Sequence, residues 1–471
     1  MRFVIAVALS TTAFAPAWAQ RSTAPDAGTP APDAGVAAAC PDGGTCPAQD
    51  DEALRKELEK SLQEGAAASK QGTTAPAPPP AISGGQGPQG TMARGTQSLN
   101  PDMSVILDGN AGYERRGVAY RNGDDPDLHG GPDTRGSGFT AQEVELAFSA
   151  IVDPYFRGDV FLTIPNLNGL EVEEAFATTT SLPLNLQVKA GSFRSAFGRQ
   201  NGQHLHVQDF TRRPLINAAF LGEDGMRGPG AQVSWLTPAP FYLVLYGEAF
   251  SLGGPAVPAA EEPVGPVTSF GGGKATDLTY AGEAKYFFPV GEEWSIYGGF
   301  NAATGVSAGF LRPDDTGAFP GAGRRSELFG ADLYVKWKPP NVSGGYNSVA
   351  WQTEVIWRHL QDGAGIAAEW DGGLYSQVVL QIARNWFVGV RGDLLGIPTS
   401  SVLGSAQRGS LSLTWQGSEF ARVRAYVEAE HVDPSGGPYL PTAVSAANPS
   451  SSYATYLQLE YSIGAHGAHP F

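Results

Sequence analysis

Basic residues, cysteine and long apolar runs are all scarce in this 471-residue sequence, and each shortage closes off a class of protein. Lys and Arg number 31 against 47 Asp and Glu, a formal net charge of −16. Nucleic acid is therefore not an expected partner, because neutralising phosphates needs a basic surface. The two cysteines, Cys40 and Cys46 in CPDGGTC, are too few to make a metal centre alone, and in an exported chain they suit one small local disulfide. After residue 19 no stretch approaches the roughly 18 consecutive apolar residues that a membrane-crossing helix needs. A helical membrane protein is excluded. Catalytic signatures are missing as well: the chain has no GxSxG, no HExxH and no phosphate-cradling glycine loop between strand and helix. We read it as no enzyme and expect no cofactor.

What is present points elsewhere. Arg2, the apolar run from Phe3 to Leu9 and the small residues ending in Ala17-Trp18-Ala19 read as a signal peptide over 1–19. Residues 20–50 form an Ala/Pro/Asp/Gly leader that cannot bury a core, with APDAG at Ala24 to Gly28 and again at Ala31 to Gly35. Over 51–64, Leu54, Leu58 and Leu62 share one face of a short amphipathic helix, too short to be stable alone, which either pairs with copies of itself in an oligomer or frays. A Gly/Pro/Ser-rich linker spans 65–100, and the remaining domain is 101–471.

In that domain the apolar pattern has a period of two. Phe329, Ala331, Leu333, Val335 and Trp337 alternate with Asp332, Lys336 and Lys338. Trp351, Val355 and Trp357 alternate with Gln352, Glu354 and Arg358; Val423, Ala425 and Val427 with Arg422, Arg424 and Glu428. Period two makes strands with two environments. Sixteen such runs are predicted: 103–113, 140–152, 155–164, 170–178, 184–193, 229–237, 241–251, 277–288, 293–303, 326–338, 349–360, 373–384, 386–396, 408–416, 419–430 and 453–463. The links between them alternate between tight turns and long loops, the pattern of an up-and-down antiparallel barrel crossing a bacterial outer membrane. Two links break the alternation, 165–169 being short and 339–348 long. Trp235, Trp294, Trp337, Trp351, Trp386 and Trp415 all lie beside the tight turns, as an aromatic girdle would. The expected fold is a sixteen-stranded all-β transmembrane barrel, and its first partner is outer-membrane lipid.

VKAGSFRSAFGRQN at Val188 to Asn201, LGEDGMRGPGAQVSW at Leu221 to Trp235 and the terminal Phe471 resemble the porins, and among them the phosphate-selective porin O and P family. The resemblance covers roughly Val105 to Phe471, although Gly464 to Pro470 interrupt the usual aromatic alternation before the last residue. It implies a homotrimer that passes small hydrophilic solutes passively, anions such as phosphate among them. In sixteen-strand porins the loop after the fifth strand folds inward and narrows the pore. The resemblance thus implies that Lys189, Arg194, Arg199, Arg212 and Arg213 line a constriction, where guanidiniums favour anions. The plainer alternative is that these groups pair with lumen acids such as Glu171, Glu173 and Glu174 and brace the loop. His204 and His206 stand two apart with no third carboxylate or thiol spaced nearby to complete a metal site, so none is expected. Asp124, Asp125, Asp127, Asp314 and Asp315 read as solvated loop acids. Two rival functions remain: a substrate-specific receptor, which needs a folded plug inside about 22 strands, and a sealed structural or adhesive barrel.

Overall fold

A computed structural model describes residues 101–115, 137–222, 225–252, 269–271, 274, 276–307, 323–340, 346–363, 367–398, 405–432 and 451–464. The signal peptide, leader, helix and linker expected over 1–100 lie outside these residues. So do Cys40, Cys46, the loop acids and Phe471.

Sixteen strands are observed: β1 (Asp102–Arg115), β2 (Gly138–Ile151), β3 (Phe156–Pro165), β4 (Glu171–Thr179), β5 (Leu186–Arg194), β6 (Arg227–Leu236), β7 (Tyr242–Phe250), β8 (Thr279–Val290), β9 (Trp294–Val306), β10 (Arg325–Trp337), β11 (Ser348–Leu360), β12 (Glu369–Ala383), β13 (Trp386–Leu395), β14 (Ala406–Ser418), β15 (Ala421–Val432) and β16 (Ser451–Gly464). Each matches one of the sixteen expected runs to within a few residues. Every strand pairs antiparallel with its sequence neighbours, and β1 closes on β16 from Ser104 opposite Gly464 to Arg115 opposite Tyr453. Closure leaves no open strand edge facing lipid.

The period-two pattern sorts side chains to two sides of the wall. On β16, Tyr453, Leu457, Leu459, Tyr461 and Ile463 are exposed outward while Gln458 and Glu460 are buried inward. On β14, Leu411, Leu413 and Trp415 face out, and Arg408, Ser410, Ser412 and Thr414 face in. A greasy outer band over a polar interior is the reverse of a soluble sandwich, and it suits hydrocarbon outside with water inside.

One rim carries the links 152–155, 180–185, 237–241, 291–293, 338–347, 384–385 and 419–420; the other carries 116–137, 166–170, 195–226, 251–278, 307–324, 361–368, 396–405 and 433–450, of which 166–170 is as short as the turns of the first rim. The expected girdle sits on the first rim, where Trp294 faces Trp337 and Trp386 faces Trp415 across neighbouring strands. A second aromatic ring, not anticipated, lies toward the opposite rim: Trp357 and Trp370 are exposed there, with Trp370 stacked on Phe329 at 6.2 Å between ring centroids. Two belts one strand-length apart match the two headgroup levels of a bilayer.

Candidate pore constriction

The link between β5 and β6 does not stay on the rim. From Ser195 to Met226 it enters the barrel and touches the inner faces of strands on opposite sides. Its two ends are clipped together by Asn201, whose Nδ2 donates to Ser195 O (2.8 Å) and Met226 O (3.1 Å) while its Oδ1 accepts from Met226 N (2.7 Å). Two glycines permit the fold. Gly198 and Gly225 have φ of 68° and 78°, and a Cβ on either would collide with the Glu354 carboxylate or with Asn201 Oδ1 respectively. Asn201, Gly198 and Gly225 all belong to the two motifs that carry the porin resemblance. Those motifs encode the loop's inward turn.

A short helix, α1 (Leu215–Leu221), follows Pro214 and packs on β11, β12 and β13. Leu215, Ile216, Phe220 and Leu221 join Phe197, Leu328, Ile356 and Leu395 in an apolar island inside the otherwise polar barrel. It anchors the second half of the loop by burial, at about 1.5–3 kcal/mol for each large side chain.

Polar contacts anchor the first half. Ala196 N donates to Glu248 Oε1 (2.9 Å), Gly198 N to Asn301 Oδ1 (3.1 Å) and Arg199 N to Glu354 Oε1 (3.0 Å). On the β13–β15 wall four arginines donate to loop carbonyls: Arg391 to Arg212 O (2.8 Å), Arg424 to Gln208 O (2.8 Å), Arg408 to Arg213 O and Arg422 to His206 O. Alternation had already put Arg422 and Arg424 on the wet face of their strand. Their role as grips was not foreseen, because their acceptors are backbone atoms more than 200 positions away.

The five residues expected at a constriction separate into distinct environments. Arg194 pairs with Glu173 and lies 3.9 Å from Glu174, and its backbone N–H donates to Glu174 Oε2 (2.8 Å). Arg212 donates to Glu428 Oε1 (2.6 Å) and lies 3.3 Å from Glu114 Oε1. Lys189 is buried with its ammonium 4.6 Å from the Phe176 ring centroid, and Arg213 is buried with Nη2 3.4 Å from Gln203 O. Arg199 alone of the five keeps partial exposure, its guanidinium 3.9 Å above the Tyr334 ring. The bracing alternative thus describes Arg194 and Arg212; of the acids named for it, Glu173 and Glu174 take part and Glu171 is exposed.

His204 and His206 meet acids of β2 and β4. His204 Nδ1 lies 3.1 Å from Glu145 Oε2 and 3.3 Å from Glu173 Oε2, its Nε2 lies 2.8 Å from Glu174 Oε1, and His206 Nδ1 lies 3.3 Å from Glu145 Oε2. Burial alone would push the His204 imidazole down, but Glu173 and Glu145 beside it raise it well above the ordinary histidine range. The third ligand-type group that spacing along the chain did not supply is Glu145, 59 positions before His204.

No sequence-family model matches the chain. Among solved structures it is similar to an anion-selective porin from Comamonas acidovorans, at 11% identity and a TM-score of 0.47 over 77% of this chain and 99% of that one. It is also similar to the outer membrane channel DcaP of Acinetobacter baumannii, at 13% identity and a TM-score of 0.46 over 77% and 97%. OprB of Pseudomonas putida gives 9% and 0.47 over 77% and 94%. In sequence, a protein of Aquifex aeolicus described only as uncharacterized is 33% identical over 401 residues, 79% of this chain and 80% of that protein, and the chain belongs to its family.

Proposed function

We propose that the protein is a passive channel of the bacterial outer membrane, a homotrimeric porin admitting small hydrophilic solutes past the inward loop between β5 and β6. The observation that carries this reading is the closed barrel itself, with an apolar band and two aromatic belts outside and charged side chains inside. Lys189, Arg194, Arg199, Arg212 and Arg213 mark the constriction. Arg194 and Arg212 brace the loop against carboxylates, and Arg199 is the group left to act on passing ions. Its guanidinium would lower the barrier for an anion and raise it for a cation, and inorganic phosphate is the anion its planar fork fits.

Planar-bilayer recordings of the purified protein test this. Discrete conductance steps are expected, with a reversal potential in a potassium chloride gradient on the chloride side of zero selectivity and a reduction in current on adding phosphate. Absence of any conductance would favour the sealed structural barrel. Preference for potassium would end the anion assignment while leaving the channel intact.

A further inference from the structure

We propose that Glu145, His204 and His206 form a binding site for a divalent transition-metal cation of the zinc class, set in the lumen where the inward loop meets the β2–β4 wall. The three ligand atoms lie within 4.8 Å of one another, with Glu145 Oε2 at 3.1 and 3.3 Å from the two Nδ1 atoms. Zinc bonds of about 2.0–2.1 Å in a tetrahedron set its ligands about 3.4 Å apart. The side chains therefore already stand nearly at ligand spacing. Two imidazoles and one carboxylate are also a common zinc set, and imidazole suits zinc, copper and nickel over magnesium or calcium.

Three surrounding features fit a cation. The other ring nitrogen of His204 is held by Glu174 at 2.8 Å, the carboxylate support that orients a metal-ligating imidazole and raises its basicity. Phe161 packs on the same ring at 4.9 Å between centroids and fixes its plane. Glu173 Oε2 is buried 3.3 Å from His204 Nδ1 and is placed to approach as a fourth ligand. Glu143, Glu145 and Glu173 crowd together at the same spot, and a dication offsets their mutual repulsion. Entry is from the lumen, where the His204 side chain keeps 11% exposure. Bound metal would tie the loop to β2, a link independent of whether the barrel conducts.

The test uses the full-length protein in detergent, stripped with EDTA and carrying His466→Ala and His469→Ala so that the C-terminal histidines cannot take zinc. Titration calorimetry with zinc chloride is expected to give one site per chain. Glu174→Gln should weaken it by about 10–100-fold, the usual cost of losing an outer-shell partner. Glu145→Gln and His206→Ala should weaken it further, while His359→Ala, on β11 where His359 pairs with Glu327 away from the site, leaves it unchanged. Heat-modifiable gel migration reports whether each variant is folded. If a variant fails to fold, X-ray absorption on the zinc-loaded parent decides: imidazole nitrogens in the first shell support the site, and a shell of water oxygens alone overturns it. Absence of stoichiometric zinc binding, or affinity unchanged by both Glu145→Gln and His206→Ala, also overturns it. Conductance is a separate readout, so failure here and failure of the channel reading are distinguishable.

Discussion

The two walls that hold the inward loop do so by opposite chemistry. On β13–β15, Arg391, Arg408, Arg422 and Arg424 reach backbone carbonyls of the loop. On β2 and β4, Glu145, Glu173 and Glu174 reach side chains, those of His204 and His206 in the loop and of Arg194 at the end of β5 just before it. A carbonyl is present whatever the residue, so the basic wall grips any loop of suitable length and turn. The acidic wall requires these particular loop residues. Backbone grips thus dominate on one side, with the Arg212–Glu428 pair added to them, and side-chain pairs dominate on the other, which leaves the loop's partners on β2 and β4 as the place where chemistry can be added.

The largest effect is expected from the basic wall. Arg408 lies 3.5 Å from Asp393 and 3.8 Å from both Glu428 and Glu430, all buried. Arg408→Ala takes the cation away from these carboxylates, leaving Asp393 with Arg391 and Glu428 with Arg212, and frees a loop carbonyl; it should cost about 3–5 kcal/mol in urea unfolding of the reconstituted protein. The loop should also loosen, seen as larger and noisier single-channel current. A smaller loss, near 3 kcal/mol, is expected for Arg194→Met on the acidic side, because His204 remains against the same carboxylates. Adding Glu173→Gln should recover part of that loss. A double-mutant cycle with no coupling would show that the two walls do not differ in the way described.

The strand framework was legible because lipid and water impose a strict alternation that a single sequence displays directly, as in Leu457, Leu459, Tyr461 and Ile463 against Gln458 and Glu460. The inward loop was expected only through the resemblance to porins, carried by the motifs that hold Gly198, Asn201 and Gly225. Partnerships across the barrel were not. Arg391 and Arg408 look like any inward-facing polar residue until the loop's carbonyls are brought to them. Glu145 is invisible as a companion of His204 because only closure of the sheet and the loop's return path bring them together. An inward-facing acid two strands from a histidine pair is a signal sequence reading could use, but choosing among Glu143, Glu145, Glu171, Glu173 and Glu174 requires the register.

Arg199 sharpens the comparison from the side of neither wall. Its backbone N–H is held by Glu354 and its Nε by Gln352 at 3.2 Å, while the guanidinium lies over Tyr334 with no carboxylate paired to it in an ion pair among the described residues. An exposed cation–π contact contributes about 0.5–1 kcal/mol, so Arg199→Ala should barely change unfolding. Its charge, in contrast, has no ion-pair partner among the described residues, at the point where the proposed channel would pass solutes. The substitution should therefore move the reversal potential toward cations, and Arg194→Met, which removes a charge already neutralised by Glu173, should move it far less. Equal shifts from the two variants would mean that the field in the lumen depends on total charge rather than on which guanidinium lacks a partner.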